Sequence, residues 1–296
     1  MKMWMKPRTR HAGRAVRSRA LAAATLAAAG LLSTTVATTP ATAAAGPDPT
    51  LNDVKTLTGP YQTSTATVQN SGQFGAATIY YPTSTTDGPY PGVVLAPGLT
   101  SSQSVLSWYG KTLASQGFVA MTINFTSTML YPTQRQPQID KALTYLTQTS
   151  TVKSRVNANT LGVLGHSFGG GGSLLEEFNK PSLKAAILLD PVNQPAVQSS
   201  QLSQVAIPTM IITGQNDTLS SESPTVYNGL PSSTPKQLLD IAGGNHGTVL
   251  TANANIARYV VPWLKVYLSG DSRYQQFNCP ITSDSYLSSH QGNCSS

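Results

Sequence analysis

The chain reads as an α/β protein: a doubly wound, mostly parallel sheet entered through an antiparallel hairpin. Three observations predict this. Short continuous apolar runs alternate with helix-like stretches over most of the chain. The first two strand-like segments alternate polar and apolar residues instead. A glycine-rich motif, G-H-S-F-G-G-G-G, stands where one apolar run gives way to a helical pattern. Runs apolar on both faces suit strands covered by helices on both sides, and such strands are mostly parallel.

In chain order, residues 1–45 stand apart. Seven basic residues and no acidic one precede an alanine-rich apolar run from Ala20 to about Val36, and Ala43-Ala44-Ala45 offers a small-residue cleavage site before Gly46. This is the pattern of a secretory signal peptide, with no twin-arginine pair. The apolar run is too short and alanine-rich for a membrane span. The whole chain carries 19 basic and 12 acidic residues, so without those seven the balance is even. The basic surplus therefore belongs to the leader and gives no support for a nucleic-acid partner.

Residues 46–296 then form a single expected domain. Residues 46–60 read as an irregular arm. T-A-T-V-Q-N (65–70) and A-A-T-I-Y-Y-P (76–82) read as a hairpin around S-G-Q-F-G. Buried strands are expected at 92–98, 118–125, 161–167, 185–191, 208–214 and 237–243, with helices near 105–116, 135–149, 170–179, 222–229 and 252–269. No repeat, linker or lid-like insertion interrupts the pattern. Cys279 and Cys294 are the only cysteines, fifteen positions apart, and in an exported chain they read as one disulfide. A bridge of that span contributes about 3 kcal/mol on the loop-entropy account.

The motif places Ser167 between a buried strand and a helix, the setting of a G-x-S-x-G nucleophile elbow. Gly165 and Gly169 are expected where side chains would collide across the turn, and Gly170, Gly171 and Gly172 where the helix packs on the sheet. The backbone N–H of Phe168, at the helix start, would face a developing oxyanion, and that of Leu99, after A-P-G, would be the second donor. A serine nucleophile needs a base. His246, in the loop A-G-G-N-H-G after the last core strand, is the candidate. His166 is expected to point away and to be structural, and His290 to lie on the surface. For the orienting acid the residues leave two candidates, Asp217 in G-Q-N-D-T and Asp190 in L-L-D-P-V, each just past a strand. Either gives the chain order Ser, Asp, His. With only His290 near the cysteines and no C-x-x-C, no metal centre is expected there.

Several segments together carry a resemblance. G-A-A-T-I-Y-Y-P, V-V-L-A-P-G, G-H-S-F-G-G-G-G-S-L, L-K-A-A-I, N-D-T, L-P-S-S-T-P-K and R-Y-Q-Q-F-N-C-P are similar to the actinobacterial cutinase and polyester-hydrolase family, which includes the poly(ethylene terephthalate) hydrolases. The resemblance implies an α/β-hydrolase fold and a secreted, monomeric serine esterase without a cofactor. It implies a triad of Ser167, Asp217 and His246, oxyanion donors Phe168 and Leu99, and the bridge Cys279–Cys294. Its implied substrates are short acyl esters, lipids, cutin or aliphatic polyesters. The family usually has Met where Phe168 stands, an aromatic residue at Leu99 and Trp at Val192. With Leu99 and Val192 aliphatic at substrate-binding positions that also include Phe168, aliphatic polyesters are expected to be preferred over terephthalates. Gln215 and Ala242 replace acidic residues through which some members bind calcium, so no metal is expected. G-H-S-F-G-G with L-D-P-V also resembles chlorophyllases and platelet-activating-factor acetylhydrolases, which implies Asp190 as the acid. An acyltransferase using the same acyl-enzyme is the other enzymatic reading, and a catalytically dead secreted binding or cell-wall protein is the non-enzymatic one.

Overall fold

Nine strands lie in one sheet in the order β1-β2-β4-β3-β5-β6-β7-β8-β9 in a computed structural model that describes residues 47–279 and 284–293. The leader, its cleavage site and Cys294 lie outside the described residues. So, therefore, does one half of the expected disulfide.

The hairpin forms as expected, with β1 (Thr63–Val68) antiparallel to β2 (Ala77–Pro82). As an edge strand, β1 alternates exposed and half-buried residues, the period-two pattern of a half-solvated strand. From there β2 pairs with β4 (Val119–Ile123), not with the next strand in sequence, β3 (Tyr90–Ala96). The parallel core runs on through β3, β5 (Val156–His166), β6 (Ala185–Leu189), β7 (Thr209–Gly214) and β8 (Lys236–Ile241).

Every residue of β4, β6 and β7 is buried. Alternate side chains feed opposite faces, which is why these strands read as unbroken apolar runs. Val94 and Ala96 pack with Ile139, Leu143 and Leu146, on the helix Pro132–Gln148. Their neighbours Val93 and Leu95 pack with Leu113, Tyr259, Val260 and Trp263, on the helices Ser107–Ser115 and Ala254–Tyr267. The sheet is thus wound on both sides.

In chain order the helices are α1 (Leu51–Val54), α2 (Ser107–Ser115), α3 (Pro132–Gln148), α4 (Phe168–Asn179), α5 (Ser199–Leu202), α6 (Ser223–Gly229), α7 (Ala254–Tyr267) and α8 (Gln275–Asn278). The five expected helices are all present, and the fold is that of an α/β hydrolase. The sequence reading missed the single turns α1, α5 and α8, and the last strand, β9 (Leu287–Asn293). Its L-S-S-H-Q-G-N has little strand character. It is held by antiparallel pairing to β8, Leu239 opposite His290, which covers an otherwise open sheet edge. His290 is exposed on that strand, as expected.

Candidate active site

The turns that follow β5, β6, β7 and β8 meet at one edge of the sheet, the edge where open α/β sheets collect their ligands. β5 ends at His166, and Ser167 takes φ 54° and ψ −122° before α4 begins at Phe168. A positive φ in a non-glycine residue is strained and is retained where the surroundings impose it. Here they do. The Ser167 N–H donates to the Leu189 carbonyl at 3.0 Å, and the Ser167 carbonyl accepts from Gly171 and Val192 at 3.0 and 3.1 Å.

The glycines explain how the turn closes. A Cβ on Gly165 would lie 2.3 Å from the Gly169 carbonyl oxygen, and one on Gly169 would lie 2.2 Å from that of Ala96. Both contacts are with backbone, which cannot swing aside. The packing role expected of Gly172 is corrected: it faces Arg135 and Ile139 on α3, not the sheet.

Gly98 brings the β3–α2 loop against the elbow, since a Cβ there would meet Ser167 Cβ at 2.9 Å. No backbone acceptor is found among the described residues for the N–H of Leu99 or of Phe168. Both donors thus stand uncommitted beside the serine. Arg135, fully buried, fixes this loop. Its guanidinium donates to the carbonyls of Pro97 (3.0 Å), Thr128 (2.8 Å) and Leu130 (2.6 Å) and stacks over Phe125. Burial lowers its pKa to about 10, which still leaves it charged at neutral pH.

His246 Nδ1 lies 2.8 Å from Asp217 Oδ2. Asp217 also accepts from Ser220 Oγ at 2.5 Å and from the Leu219 N–H at 2.8 Å. Burial pushes this carboxyl upward, but the hydrogen bonds from Ser220, His246 and Leu219 outweigh it and hold the pKa below the usual value. Asp217, rather than Asp190, is therefore the carboxylate against His246 Nδ1.

His166 does not point away from the site, contrary to expectation. Its ring packs 4.8 Å from that of His246, and its Nε2 lies 2.9 Å from the His246 carbonyl oxygen, as a donor in the neutral tautomer. Burial lowers its pKa to about 4, so at neutral pH it is an uncharged strut beneath the His246 loop. One ring nitrogen each of His166 and His246 and one oxygen of Asp190 lie within 4.8 Å of one another. Of these rings, His166 Nε2 is engaged with the His246 carbonyl and His246 Nδ1 with Asp217.

Two site features carry no signal in the sequence. Ser220 was unremarked because a lone serine in a polar loop carries no signal. Tyr131, 57 % exposed, sets its ring 5.5 Å from that of Phe168 and supplies an aromatic surface from the β4–α3 loop. Val192 is 8 % exposed. It offers little wall to a substrate, and its N–H holds the elbow instead. Leu99 is half-buried.

Among the described residues no helix is long and apolar enough to cross a membrane. A family model described as PET hydrolase-like matches residues 37–295. The chain is 42 % identical over 294 residues to a bis(hydroxyethyl) terephthalate hydrolase of Streptomyces coelicolor, covering 95 % of this chain and 93 % of that one. It is 37 % identical over 274 residues to a cutinase of Thermobifida fusca, covering 89 % of each. Over 242 residues it is 37 % identical to cutinase est2 of Thermobifida alba, covering 79 % of each. An elbow serine, a histidine against a carboxylate and two free N–H groups on one sheet edge thus accompany matches along most of the chain, and the chain belongs to the PET hydrolase-like family of ester hydrolases.

Proposed function

We propose that the protein hydrolyses carboxylic esters through an acyl-enzyme on Ser167, with His246 as base, Asp217 as orienting acid, and the N–H groups of Leu99 and Phe168 as oxyanion donors. The observation that carries this reading is the 2.8 Å contact of His246 Nδ1 with Asp217 Oδ2 on the edge that bears the elbow. Ser167 Oγ attacks the ester carbonyl while its proton passes to His246 Nε2. Asp217 holds the imidazole in the tautomer that leaves Nε2 free to accept, and stabilises the imidazolium. The oxyanion is met by two preorganised N–H groups, each worth about 3 kcal/mol in the transition state by analogy with measured donors. Collapse expels the alcohol with the proton from His246. Water repeats the sequence in reverse and releases the acid.

The substrates proposed are hydrophobic esters, with short acyl esters and aliphatic polyesters ahead of terephthalate polymers. Leu99 gives an aliphatic wall, the buried Val192 puts no aromatic ring in the site, and one aromatic face, Tyr131 beside Phe168, remains. The names of two relatives refer to a terephthalate ester and to cutin, and both belong in the substrate panel. Export with loss of residues 1–45, leaving a one-domain, monomeric enzyme from Gly46, is part of the same proposal. N-terminal sequencing of extracellular protein tests it.

The deciding experiment is release of nitrophenol from p-nitrophenyl butyrate. Phenylmethylsulfonyl fluoride should stop it, with the added mass on the peptide containing Ser167. Activity that survives the inhibitor, or a label elsewhere, overturns the mechanism. Polycaprolactone, bis(hydroxyethyl) terephthalate and poly(ethylene terephthalate) under matched conditions test the substrate order. Faster release of terephthalate from the polymer than hydrolysis of polycaprolactone overturns it.

A further inference from the structure

Asp190 lies one strand away from Asp217, at the end of β6, and the mechanism above gives it no role. It is fully buried, and φ is 42°. Its Oδ1 accepts the Gly214 N–H at 2.9 Å, while its Oδ2 is buried with no donor. The groups that face it come from four other elements. They are Tyr109 of α2, His166 at the end of β5, Thr213 and Asp217 at and beyond the end of β7, and His246 after β8. No Lys or Arg is among them. The Thr213 hydroxyl is engaged with Ser220 at 2.8 Å, and His166 donates to a carbonyl.

An ionised Asp190 would leave a buried anionic oxygen unsatisfied beside a second carboxylate, an arrangement that costs several kcal/mol. A protonated Asp190 removes the conflict, because its O–H becomes a donor. Asp217 is a neighbouring acceptor whose side chain interacts with that of Asp190. A carboxylate offers about four lone-pair sites, and Asp217 fills three with Ser220, Leu219 and His246. One site remains for one donor.

We propose that Asp190 is a positioning residue of the active site: it retains a proton and donates it to the Asp217 carboxylate, completing the set of hydrogen bonds that holds Asp217 against His246. The proposal rests on Ser167, His246 and Asp217 acting as the triad. Burial first, and then the neighbouring charge of Asp217, push the Asp190 pKa up to about 8, against the opposing Gly214 N–H and the smaller opposing effect of the Thr213 hydroxyl. The donated hydrogen bond is therefore present at neutral pH and lost in mild alkali, when two adjacent carboxylates repel and Asp217 loses its fourth partner.

Asp190→Asn and Asp190→Ala test this by kcat and KM for p-nitrophenyl butyrate from pH 6 to 10. Asparagine keeps both hydrogen bonds, Oδ1 to Gly214 and an N–H to Asp217, and cannot ionise. The wild type should lose threefold or more in kcat as pH rises through about 8 to 9. That decline should be absent in Asp190→Asn. Asp190→Ala should be at least tenfold below Asp190→Asn in kcat at pH 7, with KM changed less than twofold. An unchanged alkaline decline in Asp190→Asn, or equal kcat in the two variants, overturns the proposal.

An infrared difference spectrum of wild type minus Asp190→Asn at pH 7 needs neither turnover nor a folded alanine variant. It should show one protonated carboxyl stretch that fades with alkali, and its absence also overturns the proposal. Retention of activity by Ser167→Ala would instead sink the triad reading and leave the infrared result standing.

Discussion

Two neighbouring turns, after β6 and after β7, each carry an aspartate to the same sheet edge, and the two carboxyl groups behave oppositely. Asp217 receives three donors, and its pKa stays low in spite of burial. Asp190 receives one backbone N–H, and burial raises its pKa to about 8. Residue type, strand end and edge are the same. The difference teaches that the number of donors aimed at a buried carboxyl, rather than its position on the fold, decides whether it is charged and which role it can fill.

The sharpest way to break this contrast is to replace each acid by its amide. Asp217→Asn should lose about 10⁴-fold in turnover, the cost measured where the amide leaves histidine in the wrong tautomer. Asp190→Asn should keep at least a tenth, since the amide reproduces the hydrogen bonds of a protonated acid. p-Nitrophenyl butyrate from pH 6 to 9 reads both, and the reverse ranking would assign the acid to the turn after β6. Ser167→Ala, by removing the nucleophile, should cost at least as much as the larger of the two.

Arg135 is the same rule with the opposite charge: a buried cation satisfied by three carbonyls. Arg135→Met should cost about 3 kcal/mol of stability by leaving those carbonyls without donors, and should slow turnover by loosening the loop of Leu99. Chemical denaturation with parallel kinetics checks it, and an unchanged midpoint refutes the account. Ser220→Ala, which removes one donor from Asp217, should cost about tenfold in turnover, the equivalent of about 1.4 kcal/mol for a charge-assisted bond. The loss should be larger at pH 6 than at pH 8, because the Asp217 carboxyl then protonates more readily. A loss equal at both pH values would show that Ser220 does not hold Asp217 ionised.

The starved carboxyl also makes a stability prediction. Asp190, from an ordinary 3.8, and Glu177, buried in α4 and raised from 4.5 to about 8, bind protons in the fold that the unfolded chain has released. Their favourable contribution is complete below pH about 4 and lost as pH rises to about 8. Glu177→Gln, far from turnover, should therefore raise Tm at pH 9 by roughly 2–4 °C for each kcal/mol gained and have little effect at pH 4. A gain that is the same at both pH values would argue against a proton there. The smallest effect on turnover belongs to the chain's other end. Reducing the proposed Cys279–Cys294 bridge should lower Tm and leave room-temperature kcat within about twofold, whereas two free thiols in the exported protein would remove the bridge from the account.

The sequence by itself determined the winding of the sheet, because buried strands must be apolar on both faces, and Val93, Val94, Leu95 and Ala96 were legible as such before any neighbour was known. It also determined the elbow, because only residues without a Cβ fit at Gly165 and Gly169, where backbone lies within 2.3 Å of the space a side chain would take. The order of the strands around β4 and the capture of β9 were decided by pairing between distant segments, which no local pattern encodes. The charge of the two aspartates was decided in the same way. N-D-T and L-D-P look equally able to serve His246, and what separates them is how many donors arrive from elsewhere. Ser220, Leu219 and the histidine ring converge on Asp217, while Asp190 takes its closest hydrogen bond from the Gly214 N–H, with burial prevailing. Burial and hydrogen-bond partners are properties of the assembled tertiary structure, so a carboxyl's proton can be placed only once its neighbours are in place.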